Sequence, residues 1–167
     1  MAEKVEGITE LRINDRIYKA KGTYLFGKTA QQYAQNEVNE KTGKEQKGDG
    51  VTSIFMGLMQ QDPDKLIEFW HCATSHYGKE APKFEAVSGT LSDIAEKEDL
   101  LPYFVGALRL LNEGGYYKGK LQTLWFMMNT SSKRAKEDEK EDMKAQIETF
   151  KDMYKMITGN PPYQSEG

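Results

Sequence analysis

The side chains best suited to chemistry sit together on one predicted helix: His71, Cys72 and His76. Cys72 and His76 are i, i+4 neighbours, near enough on a helix for a thiolate–imidazole pair, the arrangement of an activated nucleophile. Nothing else in the sequence completes such a site, and a lone buried cysteine usually behaves as a small apolar side chain. The two histidines are five residues apart, about 140° around a helix of 3.6 residues per turn, so they cannot share a metal as an i, i+4 pair would. The other candidate is the run Gly43-Lys44-Glu45-Gln46-Lys47-Gly48-Asp49-Gly50. A phosphate-binding loop needs Lys and then Ser or Thr after its second glycine. Asp49 and Gly50 stand there instead, so the cation and the metal-binding hydroxyl are both lost. The expectation is a protein with no catalytic residues, no metal and no cofactor, and an enzyme using Cys72 and His76 is the weakest of the functional readings.

The balance of charge narrows the partners. Lys and Arg number 23 against 26 Asp and Glu, a net charge of −3, and no half of the chain is strongly basic. Nucleic-acid binding requires clustered cations that displace counterions from phosphate, so no nucleic acid is expected. The longest apolar stretches, Leu100–Leu111 and Leu121–Met128, fall far short of the roughly 20 residues that span a bilayer, so no membrane is expected either. The segment Met1-Ala2-Glu3-Lys4-Val5-Glu6-Gly7 is polar, without the apolar core of a secretory signal. Cys72 is the only cysteine, which excludes an internal disulfide. These features together read as cytoplasmic.

The elements that position these residues follow from periodicity. Leu11–Ala20 alternates apolar and polar residues on both sides of Asn14-Asp15, the pattern of a β-hairpin with a tight turn. It is expected to be the main β element. A helix is predicted from Tyr24 to about Val38, followed by a mobile polar loop over Asn39–Gly50. Val51, Ile54, Phe55, Leu58 and Met59 form one helical stripe. Asp62-Pro63 reads as N-cap and first helical residue of the next helix, whose buried face holds Leu66, Ile67, Trp70, Ala73 and Tyr77 and which ends at Gly78. A segment over Lys83–Glu98 is broken at Ser88-Gly89. Leu101, Phe104, Val105, Leu108 and Leu111 make the clearest stripe, stopped by Gly114-Gly115, and Leu121, Leu124, Trp125 and Met128 make another. Short connections between amphipathic helices favour antiparallel neighbours. The fold class is mainly α: a helical bundle with a small N-terminal β-hairpin and a charged C-terminal helix.

The last quarter differs. From Ser132 to Asp142 there is almost nothing to bury, and then Met143, Ile147, Phe150, Tyr154 and Ile157 follow at spacings of 4, 3, 4 and 3. That is an a/d seam of about two heptads, below the length of a secure coiled coil. Because its helix follows a long polar run, this stripe is the expected partner-binding surface, together with the aromatics Tyr116 and Tyr117. Methionines 143, 153 and 156 suit such a role, since their flexible thioethers adapt to varied helical partners. The organisation reads as residues 1–130 for hairpin and bundle, 131–159 for the charged helix and 160–167 for a flexible tail.

The order of elements carries a resemblance. The hairpin Arg12-Ile13-Asn14-Asp15-Arg16-Ile17-Tyr18 is followed by a helix containing Tyr24–Tyr33 and an apolar helix from Gly50 to Gly57. Asp62-Pro63 then opens a helix with Leu66 and Trp70, and Leu100–Leu111 and a charged extension complete the series. Over roughly residues 8 to 130 this resembles the tail assembly chaperones of siphophages infecting Gram-positive bacteria. The resemblance implies a non-enzymatic protein of the infected host's cytoplasm, absent from the mature virion. It implies that the chain binds the long helical tape measure protein and keeps it soluble until the tail tube polymerises. It also implies self-association, a longer frameshifted form and contact with the tail tube protein. The alternative is a structural or adaptor (tail-completion) protein of a phage particle. The charged region from Lys133 onward is longer than the resemblance accounts for.

Overall fold

The computed structural model describes residues 5–38 and 41–163. The hairpin is present as β1 (Glu10–Ile13) and β2 (Arg16–Lys19), antiparallel, with Leu11 opposite Tyr18 and Ile13 opposite Arg16. Asn14 and Asp15 both take positive φ, 49° and 68°, the left-handed pair that a two-residue hairpin loop demands. Leu11, Ile13 and Tyr18 face the core.

The predicted long helix after the hairpin is shorter than expected. Helix α1 spans Tyr24–Ala30, a single 3-10 turn covers Gln31–Tyr33, and the chain then extends as β3 (Asn36–Val38), paired with β4 (Glu45–Lys47). The Gln31 side chain explains the stop. Its amide nitrogen donates to the Gly48 carbonyl at 3.0 Å, and its oxygen accepts from the Gly50 N–H at 3.2 Å. The polar stretch expected to be mobile is thus folded back as a second hairpin, and residues 39–40 lie outside the described part.

Helices α2 (Gly50–Met59) and α3 (Pro63–Ala73) start as the sequence indicates. Asp49 caps α2 through the Thr52 N–H at 3.1 Å, and Asp62 caps α3 through the Asp64 N–H at 3.0 Å with Pro63 in the first turn. The expected α2 stripe is buried throughout. A Cβ on Gly50 would collide with the Ala30 carbonyl, so only glycine lets α2 begin against the end of α1. Helix α3 ends before Gly78. The Thr74 hydroxyl donates to the Trp70 carbonyl at 2.8 Å and the Ser75 hydroxyl to that of His71 at 3.3 Å, and a 3-10 stretch follows over Ser75–Glu80. Helix α4 (Phe84–Lys97) runs unbroken through Ser88-Gly89. Gly89 faces open space, and one exposed helical glycine costs only about 1 kcal/mol.

Helix α5 (Leu101–Asn112) is buried nearly all round, at Tyr103 through Leu108 and at Leu111 and Asn112, which marks it as the central helix. Helices α2, α3, α6 and α7 pack against it. Helix α6 (Lys118–Arg134) and helix α7 (Glu137–Thr158) are separated by Ala135 and Lys136 alone and lie side by side. Helix α7 closes with Gly159 in the left-handed conformation, φ 78°. Tyr154 and Ile157 join the same core as α2 and α5, so the charged helix docks on its own bundle. The tail expected from residue 160 is held as far as Tyr163. Pro162 is buried, and its carbonyl accepts from Asn112 Nδ2 at 2.7 Å and Gln122 Nε2 at 3.1 Å. The rest of that tail, 164–167, lies outside the described residues.

Candidate partner-binding surface

The seam expected to meet a partner closes on the protein itself. Ile147, Tyr154 and Ile157 are buried, Met143 and Phe150 are half-buried, and the Tyr154 ring lies 6.3 Å from that of Phe55. The reason is geometric: a short connection folds α7 back along α6, so its stripe meets α5 and α2 before it can meet another chain. Tyr117 is also buried. Its hydroxyl accepts from the Gly27 N–H at 2.7 Å and donates to the Thr23 carbonyl at 2.7 Å, pinning the α5–α6 turn to α1. Of the expected surface residues, Tyr116 alone is largely exposed, at 67%.

Other apolar side chains take the exposed positions. Phe126 and Met127 on α6 are 69% and 59% exposed, and Met156 on α7 is 70% exposed. The signal for the first two was legible in Leu124-Trp125-Phe126-Met127-Met128. Five consecutive large apolar residues exceed the width of one helical stripe, so some must face outward. Between α6 and α7 lies a groove of about 810 Å³. Trp125, Phe126, Ile147 and Tyr163 give it apolar walls, and Lys133, Lys144 and Lys151 stand around them. Tyr163 is seated at one end, its hydroxyl accepting from Asn129 Nδ2 at 2.9 Å and its ring 6.0 Å from Trp125 and 5.3 Å from Lys151 Nζ. Lys151 also pairs with Glu148 at 3.2 Å.

The chemical candidates do not assemble into a reactive site. Cys72 is 1% exposed, and burial pushes its thiol pKa up, with Glu68 adding to the effect; an activated nucleophile needs the opposite shift. Cys72 is in α3, whereas His76 lies in the 3-10 stretch beyond it, so the two do not share the regular helix assumed from spacing. The His71 Nδ1 is 2.7 Å from the Tyr33 hydroxyl. Burial raises the Tyr33 pKa and lowers that of His71, so the contact joins a protonated phenol to an imidazole biased toward its neutral form. Among the described residues no group of three or more His, Cys, Asp or Glu could hold a metal. The start of α2, at the end of the glycine-rich run, is filled by its own Asp49 carboxylate. Burial alone would raise the pKa of Asp49, but Thr52 and Lys120 outweigh it, and the Lys120 ammonium sits 3.2 Å away.

The depressed histidine pKa values predict a fold that loses stability in mild acid. Burial lowers both pKa values; Glu85 partly offsets the shift at His71, and Lys21 reinforces it at His76. A histidine with a depressed folded-state pKa contributes stability that is present above the unfolded value, near 6.5, and lost as the pH falls toward the folded value. The urea midpoint should therefore drop between pH 7 and pH 5. A His71→Gln/His76→Gln double variant should show a flatter profile, and parallel profiles would refute the assignment.

The fold and this surface define a helical scaffold with apolar side chains held outward, in which His71, Cys72 and His76 are not brought together as a reactive group. A family model described as "Phage tail assembly chaperone protein, TAC" matches residues 10–124, more than half of the chain. The chain belongs to the phage tail assembly chaperone family. No curated protein and no solved structure matches it. Among the described residues no helix is long and apolar enough to cross a membrane.

Proposed function

We propose that the protein binds the tape measure protein of its phage in the cytoplasm of the infected bacterium. It keeps that long helical chain soluble until the tail tube polymerises around it, and then leaves. Family membership supports the setting. The observation that carries the binding role is the exposure of Phe126 on the wall of the α6–α7 groove, with Met127 and Met156 also held outward on α6 and α7, after the core has been filled. Covering the apolar stripe of a partner helix there removes both surfaces from water at about 25 cal/mol per Å². The contacts are shallow and numerous, which suits a partner that must later be released. The exposed Tyr116 and the half-buried Met143 and Phe150 are further candidate contacts, whereas Ile147, Tyr154, Ile157 and Tyr117 become available only if α7 or the α5–α6 turn lifts from the core. The same outward side chains support self-association. A longer frameshifted form diverging near Asn160-Pro161-Pro162 would carry a different residue in place of Tyr163 in the groove.

Co-expression with the phage's tape measure protein tests the reading. The wild-type chain should keep the tape measure soluble and co-elute with it. Phe126→Glu/Met127→Glu/Met156→Glu, confined to exposed positions, should cut recovery at least tenfold while helicity stays unchanged. An insoluble tape measure in the presence of the wild-type chain would refute the proposal. Mass spectrometry of purified virions separates the alternative, because an adaptor or tail-completion subunit remains in the particle.

A further inference from the structure

We infer that the α6–α7 groove is a docking site for an acidic amphipathic helix of a partner chain. The inference rests on the reading of this protein as a holder of helical chains, and it adds the chemistry of the segment held. Three independent features of the groove lead to it.

The first is its lining. Trp125 and Ile147 form an apolar floor, and Phe126 rises from the α6 wall with most of its ring exposed. Two helices side by side present a trough whose natural third member is another helix, laid in by its apolar stripe.

The second is charge. Lys151 is spoken for by Glu148, but Lys133 on α6 and Lys144 on α7 make no ion pair among the described residues. Among the described residues lining the groove, Glu148 is the one carboxylate. An acidic segment is repelled by a chain of net charge −3, yet here it meets cations on both walls. Acidic side chains flanking an apolar stripe would reach Lys133 and Lys144 together, and such complementarity selects both the partner and its register.

The third is that the groove already receives polypeptide. Tyr163 lines it, its hydroxyl accepting from Asn129, and Gln122, another lining residue, donates to the carbonyl of the preceding Pro162. The Gln122 and Asn129 donors are engaged by this segment, and the walls beyond it leave the apolar and aromatic surface of Trp125, Phe126 and Ile147 to a partner.

Two synthetic peptides with the same i, i+3, i+4, i+7 leucine stripe test this, one flanked by glutamates and the other by lysines. Each is titrated into the ¹⁵N-labelled full chain. The acidic peptide should bind at least tenfold more tightly, shift resonances within residues 122–133 and 144–151, and weaken as salt is raised. Lys133→Glu/Lys144→Glu should reduce its affinity at least tenfold, and Lys133→Gln/Lys144→Gln should give an intermediate loss. Both lysines are exposed, so the fold is not at risk. Lys28→Glu/Lys47→Glu, elsewhere on the surface, should change nothing. Equal binding of the two peptides, shifts outside the groove, or indifference to the Lys133/Lys144 reversal would each overturn the inference. The tape measure co-expression is scored separately. If the wild-type chain fails there but the acidic peptide still occupies the groove, the tape measure reading falls and the groove stands. If wild type and Lys133→Glu/Lys144→Glu solubilise the tape measure equally, the groove falls and that reading stands.

Discussion

Ending the chain after Arg134 should yield a polypeptide that no longer folds cooperatively, even though residues 10–124 include all of the family match. Removing α7 uncovers the core beneath it and discards Ile147, Tyr154 and Ile157. Burying an aliphatic or aromatic side chain of this size is worth about 1.5–3 kcal/mol, so these three together supply roughly 5–9 kcal/mol. Domains of this kind are stable by only about 5–15 kcal/mol in total. Phe55 would lose a ring neighbour, and Arg109 would lose its hydrogen bond to the Thr158 carbonyl. A thermal melt followed by circular dichroism, with dye binding to exposed apolar surface, checks this. A sharp transition near that of the full chain would show that α7 is an appendage rather than part of the core.

Trp125→Ala should cost about 3–5 kcal/mol, the range for truncating a large buried aromatic. Trp125 is 1% exposed, edge-on to Phe55 at 6.2 Å and near Tyr163 at 6.0 Å. Its Nε1–H donates to Asn112 Oδ1 at 3.3 Å, and Asn112 in turn holds the Pro162 carbonyl. The substitution therefore opens a cavity where α2, α6 and the C-terminal segment meet, and it removes one donor from a buried polar cluster. Trp125→Phe should recover most of the packing and leave the Asn112 oxygen with one partner fewer, a loss of about 1–3 kcal/mol. Urea unfolding of the two variants gives the comparison. Equal destabilisation would assign the whole effect to the hydrogen bond.

Elements are legible in the sequence where one short stretch dictates one geometry. Asn14-Asp15 between alternating strands, Asp62-Pro63 before an apolar stripe, and Leu101–Leu111 each specify their own geometry. The missed features depend on distant residues. Helix α1 stops because Gln31 bonds to Gly48 and Gly50, and nothing between Tyr24 and Val38 announces that. Strand β4 is exposed along its whole length, so it lacks the alternation that marks a half-buried strand. The α7 seam was legible as a stripe that must be covered. Periodicity cannot say by what, and the short α6–α7 connection decided in favour of the protein's own core. The apolar side chains left outward are accordingly Phe126, Met127 and Met156, while Ile147, Tyr154 and Ile157 are buried.

The contact between Asn112 and Pro162, fifty residues apart in sequence, also bears on the order of events during synthesis. Helices α2 and α5 leave the ribosome well before the segment that completes their packing. At about 5–20 residues per second, the interval between making Trp125 and making Tyr163 is roughly 2–8 s. Throughout it the residues of the central helices have been made and the segment that covers one side of them has not.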